Sequence, residues 1–304
     1  MPRAAHSNTP SSVSQLLHLT NFPPQSSRVS VEFGAHSRCA PTHSINADHY
    51  LIARQSRSLD TLMTSLPPGP IPSRFDEYGY GMVVADGFGE PTTAEAASRL
   101  ALVTLMQLVL HFGKWNLRFD DQTAKEIMER AERFFRHVDV ALALENREGT
   151  FLQTAITAIF GAGHDLFFAH VGHSRGYLFR AGQLMQLTHD HTIGRERKGP
   201  PTIPPLVDVN AAARDQKHIL TDTIGMGGAT GPVIDLERFQ LDDRDTVLIC
   251  SNGVTDSLDD ELLAEVLGSN GTPSDQSRAL VDLAMDRGGQ DDATALVMQY
   301  HIPE

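Results

Sequence analysis

Residues 166–187 read LFFAHVGHSRGYLFRAGQLMQL, and the residues after Ser174 decide the fold. Gly172, Ser174 and Gly176 satisfy G-x-S-x-G, a pattern in which a strand delivers an exposed serine nucleophile straight into a helix. The strand is present at 166–171, and its unbroken apolar run of Leu166, Phe167, Phe168 and Ala169 predicts cover on both faces. The helix is not. Tyr177 to Arg180, then Ala181-Gly182, then Gln183 to Leu187 read as strand, tight turn, strand. The serine-hydrolase reading loses its required context, so Ser174 is expected in a loop between two strands.

Further strands are predicted at 49–53, 82–85, 155–160, 176–180, 184–187, 246–251 and 293–300, each rich in β-branched or aromatic residues. Helical periodicity appears at 95–110, at 124–142 through Ile127, Ala131, Phe134, Val138 and Leu142, and at 274–285 between Pro273 and Gly288. Many short strands covered on both faces, with long helices inserted between them, predict an α+β fold. Its architecture is a four-layer α-β-β-α sandwich: two mainly antiparallel sheets flanked by helices.

Residues 1–28, rich in Ser, Pro and Asn, are expected to form a loose tail, leaving one domain over 29–304. Within it, 54–78, containing LPPGPIP, is predicted to be a surface loop insertion, and 193–224 a flap whose RERKGPPTIPP segment has exposed character.

The 304 residues are 40% apolar and 21% charged, within the range of globular chains. A formal charge of −13 argues against a nucleic-acid partner, whose phosphates demand clustered Lys and Arg. It is compatible with carboxylates gathered around a divalent cation. Cys39 and Cys250, far apart and outside any C-x-x-C, support neither a disulfide framework nor a thiolate zinc site. No stretch reads as a signal peptide or a membrane span, so a cytoplasmic protein without membrane attachment is the expectation.

Four polar residues share a position relative to strands. Asp86 and Asn252 follow strands and precede Gly87 and Gly253, while Asp48 and Asp291 precede strands. Strand ends and the starts of antiparallel neighbours fall on one edge of a sheet, so all four are expected to converge. Each alone is an ordinary turn residue. Together, oxygen ligands beside Gly suit Mg²⁺ or Mn²⁺.

The segments around them resemble the metal-dependent protein phosphatases of the PPM family, the type 2C serine/threonine phosphatases. VVADGFGEPTTAEAASRLA (83–101) is similar to the family's V-A-D-G-M-G-G and its following helix, and GTFLQTAI (149–156) to its G-T-T strand start. LFFAHVGHSRGYLFRAGQLMQLTHDHT (166–192) is similar to its A-x-V-G-D-S-R-x-Y-L stretch and the T-x-D-H beyond. LTDTIG (220–225), DTVLICSNGVTDSL (245–258) and GGQDDATALVM (288–298) come next in family order.

The resemblance implies hydrolysis of phosphoserine or phosphothreonine on proteins, in signal transduction, by a water activated between two Mn²⁺ or Mg²⁺ ions. It implies that Asp86 bridges the metals, that the Gly87 carbonyl and Asp291 each bind one, and that Asp48 lies near the attacking water. Catalytic roles thus fall on Asp48, Asp86 and Asp291, and metal binding on Asp86, Gly87, Asn252, Asp291 and His173. Four positions depart from the pattern. Asn252 stands for the S-D-G aspartate, Ala47 for the polar residue of N-E-D, His173 for the aspartate of G-D-S-R, and His43 where an arginine precedes the first motif, with Arg38 the nearest arginine available to replace it. Each loss of negative charge predicts weaker metal affinity. His170, His173, His189 and His191 are read as structural histidines more readily than as a zinc site. A monomer acting on a phosphorylated protein is the leading expectation. A pseudophosphatase that binds a phosphoprotein without turnover is the alternative.

Overall fold

The computed structural model describes residues 29–67, 73–114, 117, 119–147, 150–193, 219–228 and 230–302. The expected tail at 1–28 and most of the flap, residues 194–218, lie outside them.

Among the described residues, ten strands form two five-stranded antiparallel sheets. The first has the order β1 (Ser30–Arg38), β10 (Ala293–His301), β9 (Thr246–Cys250), β6 (Arg175–Arg180), β7 (Gln183–Gln186). The second runs β2 (Asp48–Asp60), β3 (Arg74–Phe88), β4 (Gln153–Ala162), β5 (Asp165–Val171), β8 (Asp235–Gln240). Helices α1 (Pro91–Phe112) and α2 (Asp121–Glu145) cover the second sheet; α3 (Asn252–Thr255), α4 (Asp260–Leu267) and α5 (Pro273–Asp286) lie with the first. The four-layer sandwich expected from the sequence is the observed architecture.

Period-two alternation builds three apolar layers from strands that read as continuous hydrophobic runs. Along β10, Leu296, Met298 and Tyr300 enter the layer between the sheets, where they meet Met82 and Val84 of β3; Ala293, Ala295 and Val297 face α3–α5 instead. On the second sheet, Val83, Ala85 and Ile156 pack under Ala97, Ala101 and Leu105 of α1 and Val138 and Leu142 of α2. Every residue of β5 is buried, as its unbroken apolar run predicts.

Local chemistry sets the helix starts. Asp120 accepts the Thr123 N–H at 2.7 Å to cap α2. Thr272 and Asp275 form a reciprocal capping box ahead of α5, with Pro273 in its first turn. By length and apolar composition α1 resembles a membrane-crossing helix, but its Ala97, Ser98, Ala101, Leu102 and Leu105 are buried against β3 and α2.

The structure corrects the loop expected over 54–78. Residues 54–60 continue β2 and 74–78 begin β3, paired in register from Asp48↔Asp86 out to Asp60↔Arg74. The polar side chains there, which read as loop, belong to the exposed end of a long hairpin, where Glu77 is buried and held by Arg57. β1, β8, α3 and α4 carry no clear sequence signal. Gly34 interrupts β1, where a side chain would collide with the Pro273 backbone of α5, and DLERFQ is mostly polar because β8 closes a sheet edge.

Candidate metal centre

The strand-turn-strand reading of 166–187 holds: β5 ends at Val171, β6 begins at Arg175, and no helix comes after Ser174. Ala181 and Gly182, at φ +50° and +80°, make the tight turn to β7. Ser174 is fully buried and its Oγ has no hydrogen-bond partner, so no base is positioned to activate it. Arg175 forks onto Asp190 at 2.8 and 2.7 Å, locking this loop to the segment after β7.

The four polar residues converge, but across both sheets rather than along one edge. Asp48 opens β2 and faces Asp86 directly on β3, in the second sheet. Asp86 lies inside β3 rather than just past it, because β3 runs on to Phe88. From the first sheet, β9 delivers Ser251 and Asn252, and the turn before β10 delivers Asp291 and Asp292. Asn252 begins the four-residue helix α3 and does not simply trail a strand.

Contacts tie the two halves. Ser251 Oγ donates to Asp48 Oδ2 at 2.6 Å, joining the sheets at the centre. Asn252 donates its side-chain amide to Asp291 Oδ2 at 3.0 Å and to Asp256 Oδ2 at 3.3 Å, and its backbone N–H to Asp86. His173 Nδ1 lies 3.9 Å from Asp86 Oδ2, with its ring edge-on to Phe88 at 5.0 Å. Gly87 is required by crowding: a Cβ there would overlap the Ala94 carbonyl in the first turns of α1. Gly253 likewise sits hard against the Asp292 carbonyl.

Asp292, which sequence reasoning passed over, is the structural carboxylate of the group. It accepts the N–H groups of Ala40 and Ala47 at 2.8 and 2.7 Å and pairs with His43 Nδ1 at 3.1 Å. That fastens the 39–47 loop beside the centre and groups His43 with Asp291 and Asp292. The doubled aspartate in GGQDDATALVM is the only signal that pointed to it. Ser251 has a weaker one, a small hydroxyl beside Asn252. Arg38 is held elsewhere, by Asp282 of α5 at 2.7 Å. His170 bonds Thr157 and the carbonyls of Gly172 and His189, and His191 bonds the Gly172 N–H and lies 3.4 Å from Asp235, as structural histidines do.

Burial is the largest influence on both central carboxyls. It pushes Asp48 up to about 8, opposed by hydrogen bonds from Ser251 and Thr294 and reinforced by Asp291 and Asp292. It also raises Asp86 well above the carboxylate range, with Asp48, Asp291 and Asp292 adding repulsion. At this centre three buried oxygens lack any hydrogen-bond donor: Asp48 Oδ1, Asp86 Oδ2 and Asn252 Oδ1. Orphaned acceptors and crowded carboxyls together are a donor set for a hard divalent cation, which satisfies the oxygens and removes the repulsion. The residues present therefore fit Mg²⁺ or Mn²⁺.

Comparison with known proteins agrees with this geometry. A family model described as protein phosphatase 2C matches residues 83–197. The serine/threonine protein phosphatase PstP of Mycobacterium tuberculosis H37Rv is 29% identical over 226 residues, 71% of this chain; the match spans only 39% of PstP's own length. The serine/threonine phosphatase stp of Listeria monocytogenes serotype 4b is 28% identical over 228 residues, covering 73% of this chain and 85% of stp. Among solved structures, a serine/threonine phosphatase of S. agalactiae superposes with a TM-score of 0.67 at 22% identity, covering 90% of this chain and 100% of that one. The catalytic domain of PstP in complex with two manganese ions gives 0.62 at 23% identity, covering 90% and 99%. At those identities the superpositions establish the fold.

Proposed function

We propose that this chain, which a protein phosphatase 2C family model matches over residues 83–197, removes phosphate from phosphoserine or phosphothreonine on proteins with Mn²⁺ or Mg²⁺ bound among Asp86, Gly87, Asn252 and Asp291. The observation that carries the proposal is the set of donorless buried oxygens on Asp48, Asp86 and Asn252 beside Asp291. Such unsatisfied acceptors cost stability unless a cation occupies them.

The cation, when bound, supplies Lewis-acid charge to the phosphoryl group and lowers the pKa of a coordinated water. The chain's own residues do the rest. Asp86 and Asp291 hold the charge, from opposite sheets. Asp48, kept in place by the Ser251 hydroxyl and raised by burial toward neutral pH, is suited to hold or take a proton beside the attacking water. His173, within 3.9 Å of Asp86, contributes an imidazole where the family carries an aspartate, and supports one weak additional ligand. Asn252 contributes an oxygen without charge, so the affinity for the cation is lower than in a chain with the full motif.

A second reading has one observation in its favour. The Asn252 amide already donates to Asp291, occupying an oxygen that a cation would otherwise use. On that reading the chain is a pseudophosphatase that holds a phosphoprotein without turnover. Hydrolysis of p-nitrophenyl phosphate and of a phosphothreonine peptide, titrated with Mn²⁺ and with Asp86→Asn as control, separates the two. Saturable turnover lost in the control supports the enzyme. A folded protein inactive at millimolar Mn²⁺ that still captures the phosphopeptide supports the binding module.

A further inference from the structure

Away from the carboxylate centre, the outer face of the second sheet and the α1–α2 pair flank an open cavity of about 310 Å³. That is far larger than the voids left by ordinary core packing and lies at the lower end of small-molecule pockets, about 300–1,000 Å³. Its walls are apolar: Leu51 and Val83 from the sheet, Leu105 and Val109 from α1, Ile127 and Phe134 from α2. Leu51 and Phe134 are only partly buried although they pack against a core layer, as expected of side chains that border a cavity.

The polar lining has one sign. Lys114 and Arg130 carry the charge on it, and among the described residues no carboxylate lines it. Lys114 is partly neutralised by Glu126 at 3.3 Å, while the Arg54 side chain turns to the other face of the sheet, over the Tyr78 ring at 5.2 Å. Arg130 is half-buried, with Arg133 as a repelling neighbour. Gln55 adds an independent signal, since its side-chain amide nitrogen is buried without an acceptor. A donor left unpaired at an apolar cavity is costly unless an acceptor arrives with a ligand.

We propose that this cavity binds a single-chain amphipathic acid, its alkyl chain between α1, α2 and the sheet and its anionic head at Gln55 and Arg130. The apolar walls fit the chain; the one-signed rim and the orphan amide select the head. The volume suits one medium-length chain rather than a diacyl lipid.

Calorimetric titration of the full chain with dodecanoate tests this, with dodecyl phosphate and dodecyltrimethylammonium as companions, all below their micelle concentrations. The expected result is saturable one-to-one binding of dodecanoate, at least about tenfold tighter than the cationic analogue. Comparison with dodecyl phosphate tells whether the natural head is a carboxylate or a phosphate. Ala131→Trp, which fills the cavity from α2, is expected to weaken binding at least tenfold. If that variant does not fold, Gln55→Leu and Arg130→Ala at the rim carry the test, each weakening dodecanoate severalfold while sparing dodecanol. No saturable binding, equal binding of the cationic analogue, or full affinity in the folded variants would overturn the proposal. The readout is binding alone, so it stands or falls independently of phosphatase activity.

Discussion

The side-chain amide of Asn252 donates to Asp291 Oδ2 across 3.0 Å, putting a neutral hydrogen-bond donor where two carboxylates would otherwise face each other with only a cation between them. Asn252 therefore adds no charge to the repulsion from Asp291 and Asp292 that reinforces burial in raising Asp48 and Asp86, at the expense of charge for a metal.

Asn252→Asp is expected to tighten Mn²⁺ binding by about tenfold or more, because an added negative ligand strengthens a hard-cation site. In EDTA the same variant is expected to be less stable by about 1–3 kcal/mol, since a donor to Asp291 becomes another buried acid. Melting curves with and without Mn²⁺ check both. Unchanged affinity would remove the weakened-site account.

Asp86→Asn works in the opposite direction. Without metal it is expected to melt about 2–4 °C higher, roughly 1 kcal/mol, by relieving the crowding of buried carboxyls. With Mn²⁺ at about 100 times the wild-type Kd, the wild type is expected to gain about 2.7 kcal/mol and the variant almost none. A variant that gains as much as the wild type would place the metal elsewhere.

Ser174→Ala is expected to leave Mn²⁺-dependent hydrolysis within twofold of wild type and stability nearly unchanged, because the hydroxyl has no partner to lose. A thousandfold loss of turnover in a folded variant would restore the serine as a reacting group.

His170 links stability to pH. Burial, and then the neighbouring His191, depress it to about 3, so the folded state keeps it neutral while the unfolded state protonates near pH 6.5. Below that pH the unfolded chain binds the extra proton, and stability falls as pH drops toward about 3. Between pH 6.5 and pH 5 this one group is expected to contribute about 1.6 kcal/mol of loss. Urea denaturation of wild type and His170→Gln at the two values checks it: the variant should be less stable at both but lose about 1.6 kcal/mol less between them. Equal losses would show that other groups set the acid limit.

The family-like segments made the centre legible in the sequence through Asp48, Asp86, Asn252 and Asp291, since each stands at a strand end and Asp86 and Asn252 are also followed by Gly. Asp292 and Ser251 were harder to see. Their work is to hold the 39–47 loop and Asp48, partners about 200 residues or more away in the chain, and no local spacing reports such a partner.

The layers are written in the chain itself. Unbroken apolar strands such as β5 need cover on both faces, the turn at Ala181-Gly182 excludes a helix after Ser174, and periodic helices supply the covers. It took tertiary packing to make the site span both sheets instead of one edge, to pair 54–60 with 74–78 as strand, and to leave an open cavity beneath α1 and α2. The division has a physical cause. Hydrophobic periodicity is written residue by residue along the chain, whereas strand register, sheet-to-sheet alignment and leftover volume depend on how distant segments pack once they meet.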